Sequence, residues 1–142
     1  MKSQLPSLEF SHFPVMLSEV IKVSTPSKGG FFVDCTFGGG GYSKKILSYP
    51  DTKVIAIDRD PTVKKHAKKL ENLYPNRFKF FNKKFSQLDS LNKDKKFDVI
   101  IFDLGVSMLQ LLDHKRGFSF NSKESLEMQM GLSSVSGLNV IN

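Results

Sequence analysis

Four apolar runs alternate along the chain with lysine-rich, amphipathic segments, and this alternation predicts the order of strands and helices. The runs are predicted strands over residues 31–37, 53–58, 77–82 and 97–105. Continuous apolar runs, of which FDVIIFDLG is the clearest, indicate burial on both faces, as in a parallel sheet. Strands and helices that alternate at this spacing predict an α/β, doubly wound fold.

The segments between the runs predict helices that cover this sheet. Residues 12–23, HFPVMLSEVIKV, place apolar side chains where a helix could pack across the strands. A short helix is expected over 43–48, and a longer one over 61–74 with Pro61 in its first turn. The 142 residues, with 39% hydrophobic and 25% charged, suit one ordinary globular domain.

Several protein classes are disfavoured by composition. No apolar run approaches the roughly 18 residues that span a bilayer, and the N-terminal residues lack the apolar centre of a signal peptide. We therefore expect a cytoplasmic protein without membrane contact. The single cysteine, Cys35, excludes an internal disulfide and is expected to be a small core residue. No spacing of histidines or acids predicts a metal site.

The net charge of +7 comes mostly from lysine. Such a surface favours phosphate-rich partners, and lysine, as a point charge, suits contact with a nucleic-acid backbone better than base reading. The same lysines could equally serve only to keep helical faces soluble. The charge alone leaves both interpretations open.

Four consecutive glycines, residues 38–41, follow the first predicted strand. In a doubly wound sheet the ligand binds outside the carboxyl ends of the strands, where glycines let a ligand approach the backbone. The dinucleotide pattern G-x-G-x-x-G/A fits poorly, because a pattern that begins at Gly38 would require glycine or alanine where Ser43 stands. The loop thus predicts a nucleotide-like ligand and argues against a simple NAD site.

Two acids end predicted strands and would face the same crevice. Asp58 lies 20 residues past Gly38, the distance at which an acid accepts hydrogen bonds from ribose hydroxyls. Asp60 is the better helix N-cap, which leaves Asp58 for a ligand. Asp103 ends the fourth strand, where a carboxylate without a partner would be costly to bury.

Five segments in this order, HFPVMLSEVI, DCTFGGGGYS, AIDRDP, FDLGVS and RGFSF, resemble the RsmH (MraW) family. That family consists of S-adenosylmethionine-dependent N4-cytidine methyltransferases of small-subunit ribosomal RNA. The resemblance runs from about His12 to Met130. It implies a Rossmann-like class I methyltransferase fold, with S-adenosylmethionine as cofactor and small-subunit ribosomal RNA as partner.

The resemblance also implies roles for individual residues. The glycine-loop positions expected to contact the cofactor are Gly40, Gly41 and Tyr42. Asp58 matches the acid that binds the ribose, and Phe85 matches an aromatic residue beside the adenine. Asp103 and Gln110 match polar residues that complete the pocket. Residues 116–120, RGFSF, match a loop close to the active site.

The chain departs from the family pattern in two respects. The family usually has histidine where Tyr42 stands. Family members are also about twice as long, so we expect residues 1–142 to be the N-terminal part of the methyltransferase domain. A helical insertion is expected to begin at about 107–142 and to be truncated. Four strands in this connectivity have the order 3-2-1-4, which leaves strand four as an exposed apolar edge.

The implied reaction is direct methyl transfer to the exocyclic N4 of a cytidine. Asp103 is our candidate catalytic residue, as an acceptor for the N4 hydrogens. Cys35 lies inside the first strand, which disfavours the cysteine-dependent route to C5 methylation. Two alternatives stay open: an NAD-binding oxidoreductase fragment, and a basic RNA-binding fragment without catalysis.

Overall fold

A computed structural model describes residues 14–91, 96–131 and 133–141, and within them one parallel sheet forms the centre. Its strands are β1 (Gly30–Asp34), β2 (Thr52–Ile57), β3 (Phe78–Phe81) and β4 (Val99–Ile101). Their spatial order is β3-β2-β1-β4, and every neighbouring pair is parallel. Val33 of β1 lies opposite Ile55 on one side and Ile100 on the other. The predicted α/β class and strand order are confirmed.

Helices precede the first strand, connect the strands and follow the last one. They are α1 (Leu17–Ser24), α2 (Gly41–Leu47), α3 (Lys64–Leu73), α4 (Met108–Leu112) and α5 (Gly137–Ile141). Short 3-10 segments span Pro26–Lys28, Pro61–Val63, Phe85–Leu91 and His114–Arg116. In the described part of the chain, no helix is long and apolar enough to cross a membrane. Whether residues 107–142 begin a larger helical insertion stays a prediction.

The predicted element bounds were too wide in three places. The first and fourth strands were predicted to reach 37 and 105, but β1 ends at Asp34 and β4 at Ile101. Beyond these points the Asp103 backbone N–H donates to the Thr36 hydroxyl at 2.8 Å, so a side-chain contact replaces strand pairing. The first helix begins at Leu17 rather than 12, and residues 12–13 lie outside the described part.

The two faces of the sheet carry separate apolar clusters. Helices α1, α2 and α3 cover one face, where Phe32, Val54 and Ile46 are almost fully buried. The other face buries Val33, Cys35, Ile55 and Ile57 against the 3-10 segment Phe85–Leu91 and neighbouring aromatic rings. Cys35 is 2% exposed, which confirms that it is a core residue.

The edge strand β4 exposes large apolar side chains. Ile100 is 45% exposed and Phe102, just beyond the strand, is 50% exposed. Within the described residues β4 pairs with β1 alone, so its outer edge presents backbone groups to solvent. Edges of this kind template pairing with another chain.

We expect the chain to self-associate as its concentration rises, and Ile100→Lys to suppress this association because a charged edge resists pairing. Sedimentation velocity over a concentration series measures the effect. Val23→Lys is the matched control, since Val23 is an exposed apolar residue on α1, away from the edge. A wild-type chain that stays monomeric at every concentration would contradict the prediction.

Candidate cofactor-binding site

A cavity of about 750 Å³ opens at the carboxyl ends of the strands. This is the edge at which doubly wound folds bind their ligands, and the volume is that of a typical small-molecule site. Its lining comes from the loops after all four strands, together with Pro14 and Val15 before α1. The residues that matter below are Thr36, Gly38, Gly41, Tyr42, Asp58, Asp60, Phe85, Asp103, Gln110 and Met130.

The glycine loop is shaped by internal contacts as well as by the cavity. Gly38 lines the cavity and donates its N–H to Asp58 Oδ2 at 2.7 Å. Gly40 lies behind it, with φ at +80°, and a Cβ there would lie 2.8 Å from the Phe37 ring. Gly41 lines the cavity, whereas Gly40 does not. The glycine at position 40 is therefore required by backbone conformation and packing rather than by ligand approach.

Asp58 follows β2 directly and joins two loops. Its Oδ2 accepts from the Gly38 N–H and its Oδ1 from the Asp60 N–H at 2.8 Å. Burial raises the pKa of Asp58, and these two donors oppose that rise without cancelling it. A carboxylate offers about four acceptor positions, so capacity remains for two ligand hydroxyls. The prediction that Asp60 caps the next helical turn is confirmed, since its carboxylate accepts from the Thr62 N–H.

Tyr42, directly after the glycine loop, forms a polar pair with Asp103, which follows β4. The Tyr42 hydroxyl donates to the Val15 carbonyl, which attaches the segment before α1 to α2. Burial, and then the nearby carboxylates of Asp103 and Asp34, raise the pKa of Tyr42 to about 12. Tyr42 is therefore a neutral phenol at pH 7, with the Asp103 side chain beside it.

Phe85 supplies an aromatic surface on the far side of the cavity. It begins the 3-10 segment after β3, is 45% exposed, and meets Phe102 edge-on with ring centroids 5.5 Å apart. The edge contact fixes the ring while leaving a face available. A flat, exposed ring that lines a cavity can stack on a nucleobase.

Gln110 is buried, at 5% exposed. It forms a capping box with Ser107 at the start of α4. Its Nε2 donates to Asp60 Oδ2 at 3.2 Å and to the Met130 carbonyl at 3.4 Å. Both amide hydrogens therefore have acceptors, and a ligand can meet Gln110 only through its oxygen.

Two contributors were missed by the sequence analysis. Asp34, at the end of β1, is fully buried and accepts from the Ser43 hydroxyl at 2.7 Å and the Thr36 N–H at 3.3 Å. Thr36 in turn accepts from the Asp103 N–H. A carboxylate inside an apolar strand was the available signal for Asp34, whereas nothing in the sequence singled out Thr36.

The structure brings most of the predicted site residues to one cavity. Six of them line it, namely Gly41, Tyr42, Asp58, Phe85, Asp103 and Gln110, whereas Gly40 of the glycine loop does not. Among the described residues, no cluster of His, Cys, Asp or Glu could hold a metal ion.

Fold and site together define a class: a doubly wound α/β protein with a cavity of small-molecule size at the carboxyl ends of its strands. Within this class, the chain belongs to the MraW methylase family, whose model matches residues 9–142. A crystal structure of a candidate rRNA methylase from Clostridium thermocellum supports the fold. It aligns with a TM-score of 0.51 at 21% identity, over 62% of this chain and 52% of that one.

Curated relatives carry the name ribosomal RNA small subunit methyltransferase H. The protein of Rickettsia akari is 50% identical over 120 residues, which is 84% of this chain and 39% of the relative. The protein of Neorickettsia sennetsu is 47% identical over 127 residues, or 89% of this chain and 43% of the relative. The chain thus spans about two fifths of the length of these relatives.

We expect stability to depend on pH through Asp34. Burial raises its pKa from 3.8 to about 6, so the folded state holds the proton more tightly than the unfolded state. The resulting stabilisation is complete below about pH 4 and is lost as pH rises to about 6, a change of roughly 3 kcal/mol. Asp34→Asn should abolish that loss.

Urea unfolding of the wild-type chain and of Asp34→Asn at pH 4.5, 5.5 and 6.5 measures the difference. The free energy of unfolding of the variant should rise relative to wild type as pH increases across this window. Asp51→Asn, at an exposed carboxylate, is the control and should follow wild type. Parallel pH profiles for wild type and Asp34→Asn would show that Asp34 does not titrate in this range.

Proposed function

We propose that this chain contributes the cofactor-binding part of an S-adenosylmethionine-dependent methyltransferase that modifies the N4 amino group of a cytidine in small-subunit ribosomal RNA. Family membership and the relatives' name support the reaction class and the RNA. The observation that carries the cofactor proposal is the convergence of Asp58, Phe85, Tyr42 and Asp103 on one cavity.

The adenosine half of S-adenosylmethionine fits the side of the cavity after β2 and β3. Asp58 retains acceptor positions that suit two ribose hydroxyls, and its backbone is held by the Asn82 side chain, which donates to the Asp58 carbonyl at 2.8 Å. Phe85 offers a ring that can stack on adenine. A carboxylate and an aromatic ring on neighbouring strand ends thus match a ribose and its attached base.

The remaining part of the cavity, between the glycine loop and Asp103, is left for the methionine end and the target base. The cofactor supplies an electrophilic methyl group bound to a sulfonium sulfur. Asp103 would accept hydrogen bonds from an exocyclic amine and stabilise positive charge on it. Its backbone N–H donates to the Thr36 hydroxyl, which fixes the backbone that carries this carboxylate.

The substrate must present an accessible cytidine, in single-stranded RNA or flipped from a helix. The net charge of +7 favours RNA phosphate contacts. A ribosomal RNA substrate would place the protein in the cytoplasm. Since the chain spans about two fifths of its relatives' length, we propose that it holds the cofactor and that further residues of the family contribute to RNA binding.

Calorimetric titration with S-adenosylhomocysteine tests the cofactor proposal. Asp58→Ala should weaken affinity at least tenfold, because charge-assisted hydrogen bonds are each worth roughly 1.5–3 kcal/mol. Asp51→Ala is the matched control, because Asp51 is exposed and directly precedes β2, at the amino-terminal ends of the strands and away from the cavity. A folded chain that binds RNA but does not bind S-adenosylhomocysteine would instead be a non-catalytic RNA-binding fragment.

Asp103→Asn separates cofactor binding from catalysis. The amide keeps the shape but loses the charge, so in a protein that carries this chain together with the further residues of its family we expect methyl transfer to 30S subunits at saturating cofactor to fall at least tenfold. The Kd for S-adenosylhomocysteine should change less. Weakened binding with normal turnover at saturation would make Asp103 a cofactor-pocket residue only.

A further inference from the structure

Asp60 is 1% exposed, and its carboxylate is surrounded by hydrogen-bond donors. Its Oδ1 accepts from the Thr62 N–H at 3.0 Å, the Thr62 hydroxyl at 2.8 Å and Arg116 Nη2 at 3.2 Å. Its Oδ2 accepts from Arg116 Nη1 and from Gln110 Nε2 at 3.2 Å. Five donors exceed the roughly four acceptor positions of a carboxylate. Asp60 therefore has no capacity left for a ligand, although it lies at the cavity.

Arg116 brings a distant part of the chain to this carboxylate. It is 56 residues from Asp60 in sequence, its side chain is 16% exposed, and its Nε also donates to Asp113 at 3.1 Å. Its carbonyl accepts from the Met128 N–H at 2.8 Å, which closes residues 116–128 into a loop. A planar, bidentate guanidinium suits this position better than a lysine ammonium would.

The residues that follow this loop pack tightly against the turn after β2. Gly131 has φ at +131°, and a Cβ there would lie 2.4 Å from the Arg59 carbonyl oxygen. The neighbouring Met130 carbonyl accepts from Gln110. Met130 and Gln110 both line the cavity, so the contact with residues 59–60 places one wall of the site.

The backbone of Asp60 also contacts the opposite wall of the cavity. The Asp60 N–H donates to Asp58 Oδ1, and Asp58 Oδ2 holds the Gly38 N–H. A shift of Asp60 would therefore move the carboxylate assigned to the ribose, the glycine loop and Gln110 together. The backbone and side chain of Asp60 thus connect Asp58, the glycine loop and Gln110.

We propose that Asp60, paired with Arg116, is a positioning residue that sets the geometry of the nucleoside-binding end of the cavity through Asp58 and Gln110. This inference rests on the proposed function for its ligand, an adenosyl nucleoside. It gives the RGFSF segment a role within the protein, as the anchor of a cavity wall rather than as a contact to RNA phosphate.

The test compares Arg116→Lys, Arg116→Gln and Asp60→Asn in two measurements: titration with S-adenosylhomocysteine, and amide hydrogen exchange without ligand. We expect Arg116→Gln and Asp60→Asn to raise Kd roughly tenfold, with Arg116→Lys intermediate because it keeps the charge but loses the bidentate contact. Exchange should accelerate at the amides of Gly38, Asp60 and Met128. The double variant Asp60→Asn/Arg116→Gln should bind S-adenosylhomocysteine no more weakly than either of the two single variants.

Two controls separate positioning from general stability. Lys115→Gln removes the neighbouring, exposed cation of the same turn and should leave Kd within twofold of wild type. Ile46→Val loosens the core on the helix-covered face and should lower stability without changing Kd. If Arg116→Gln does not fold, Arg116→Lys carries both measurements.

The outcomes distinguish the two proposals. A wild-type chain that binds, together with folded Asp60 and Arg116 variants of unchanged Kd and unchanged exchange at Gly38 and Asp60, would overturn the positioning role alone. A folded wild-type chain that does not bind would contradict the cofactor proposal. In that case exchange at Gly38 and Asp60 still decides whether Arg116 holds the two loops.

Discussion

The Asp58 carboxylate, accepting N–H groups from Gly38 and Asp60, is the interaction on which the arrangement of the site depends. It ties the loop after β1 to the turn after β2, and these two loops lie side by side because β1 and β2 pair in parallel. A buried carboxylate needs donors, and backbone N–H groups supply them without lengthening either loop. Asp58 also lines the cavity, so the same group that orders the two loops is accessible to a ligand there.

Around this link, short connections do most of the positioning. The Thr36 hydroxyl fixes the backbone of Asp103, and the Asn82 side chain fixes that of Asp58. The Asp60 carboxylate accepts hydrogen bonds from Arg116 and Gln110. Each contact joins the ends of two elements at the carboxyl edge of the sheet. The cavity is therefore assembled from the loops after the four described strands, in a chain that spans about two fifths of its relatives' length.

The fold could largely be predicted from the sequence, because continuous apolar runs and intervening amphipathic segments indicate a parallel sheet, and the doubly wound connectivity then gives its strand order. The positions of Asp58 and Asp103 also followed, since residues that end parallel strands share one edge. Contacts across long sequence separations could not be predicted. Nothing local indicates that Gln110 is buried against Asp60, or that Arg116 finds a carboxylate 56 residues away. The glycine loop was predicted for ligand approach, yet Gly40 is required by its positive φ and by Phe37.

The most direct test of the central claim, that this cavity binds an adenosyl cofactor, is to map amide chemical-shift changes by NMR as S-adenosylhomocysteine is added to the chain. The account predicts saturable changes concentrated at the carboxyl edge of the sheet, in residues 38–42, 58–60, 84–86 and 103–110. Chemical-shift changes at the amino-terminal ends of the strands, or no chemical-shift changes in a folded chain, would contradict it.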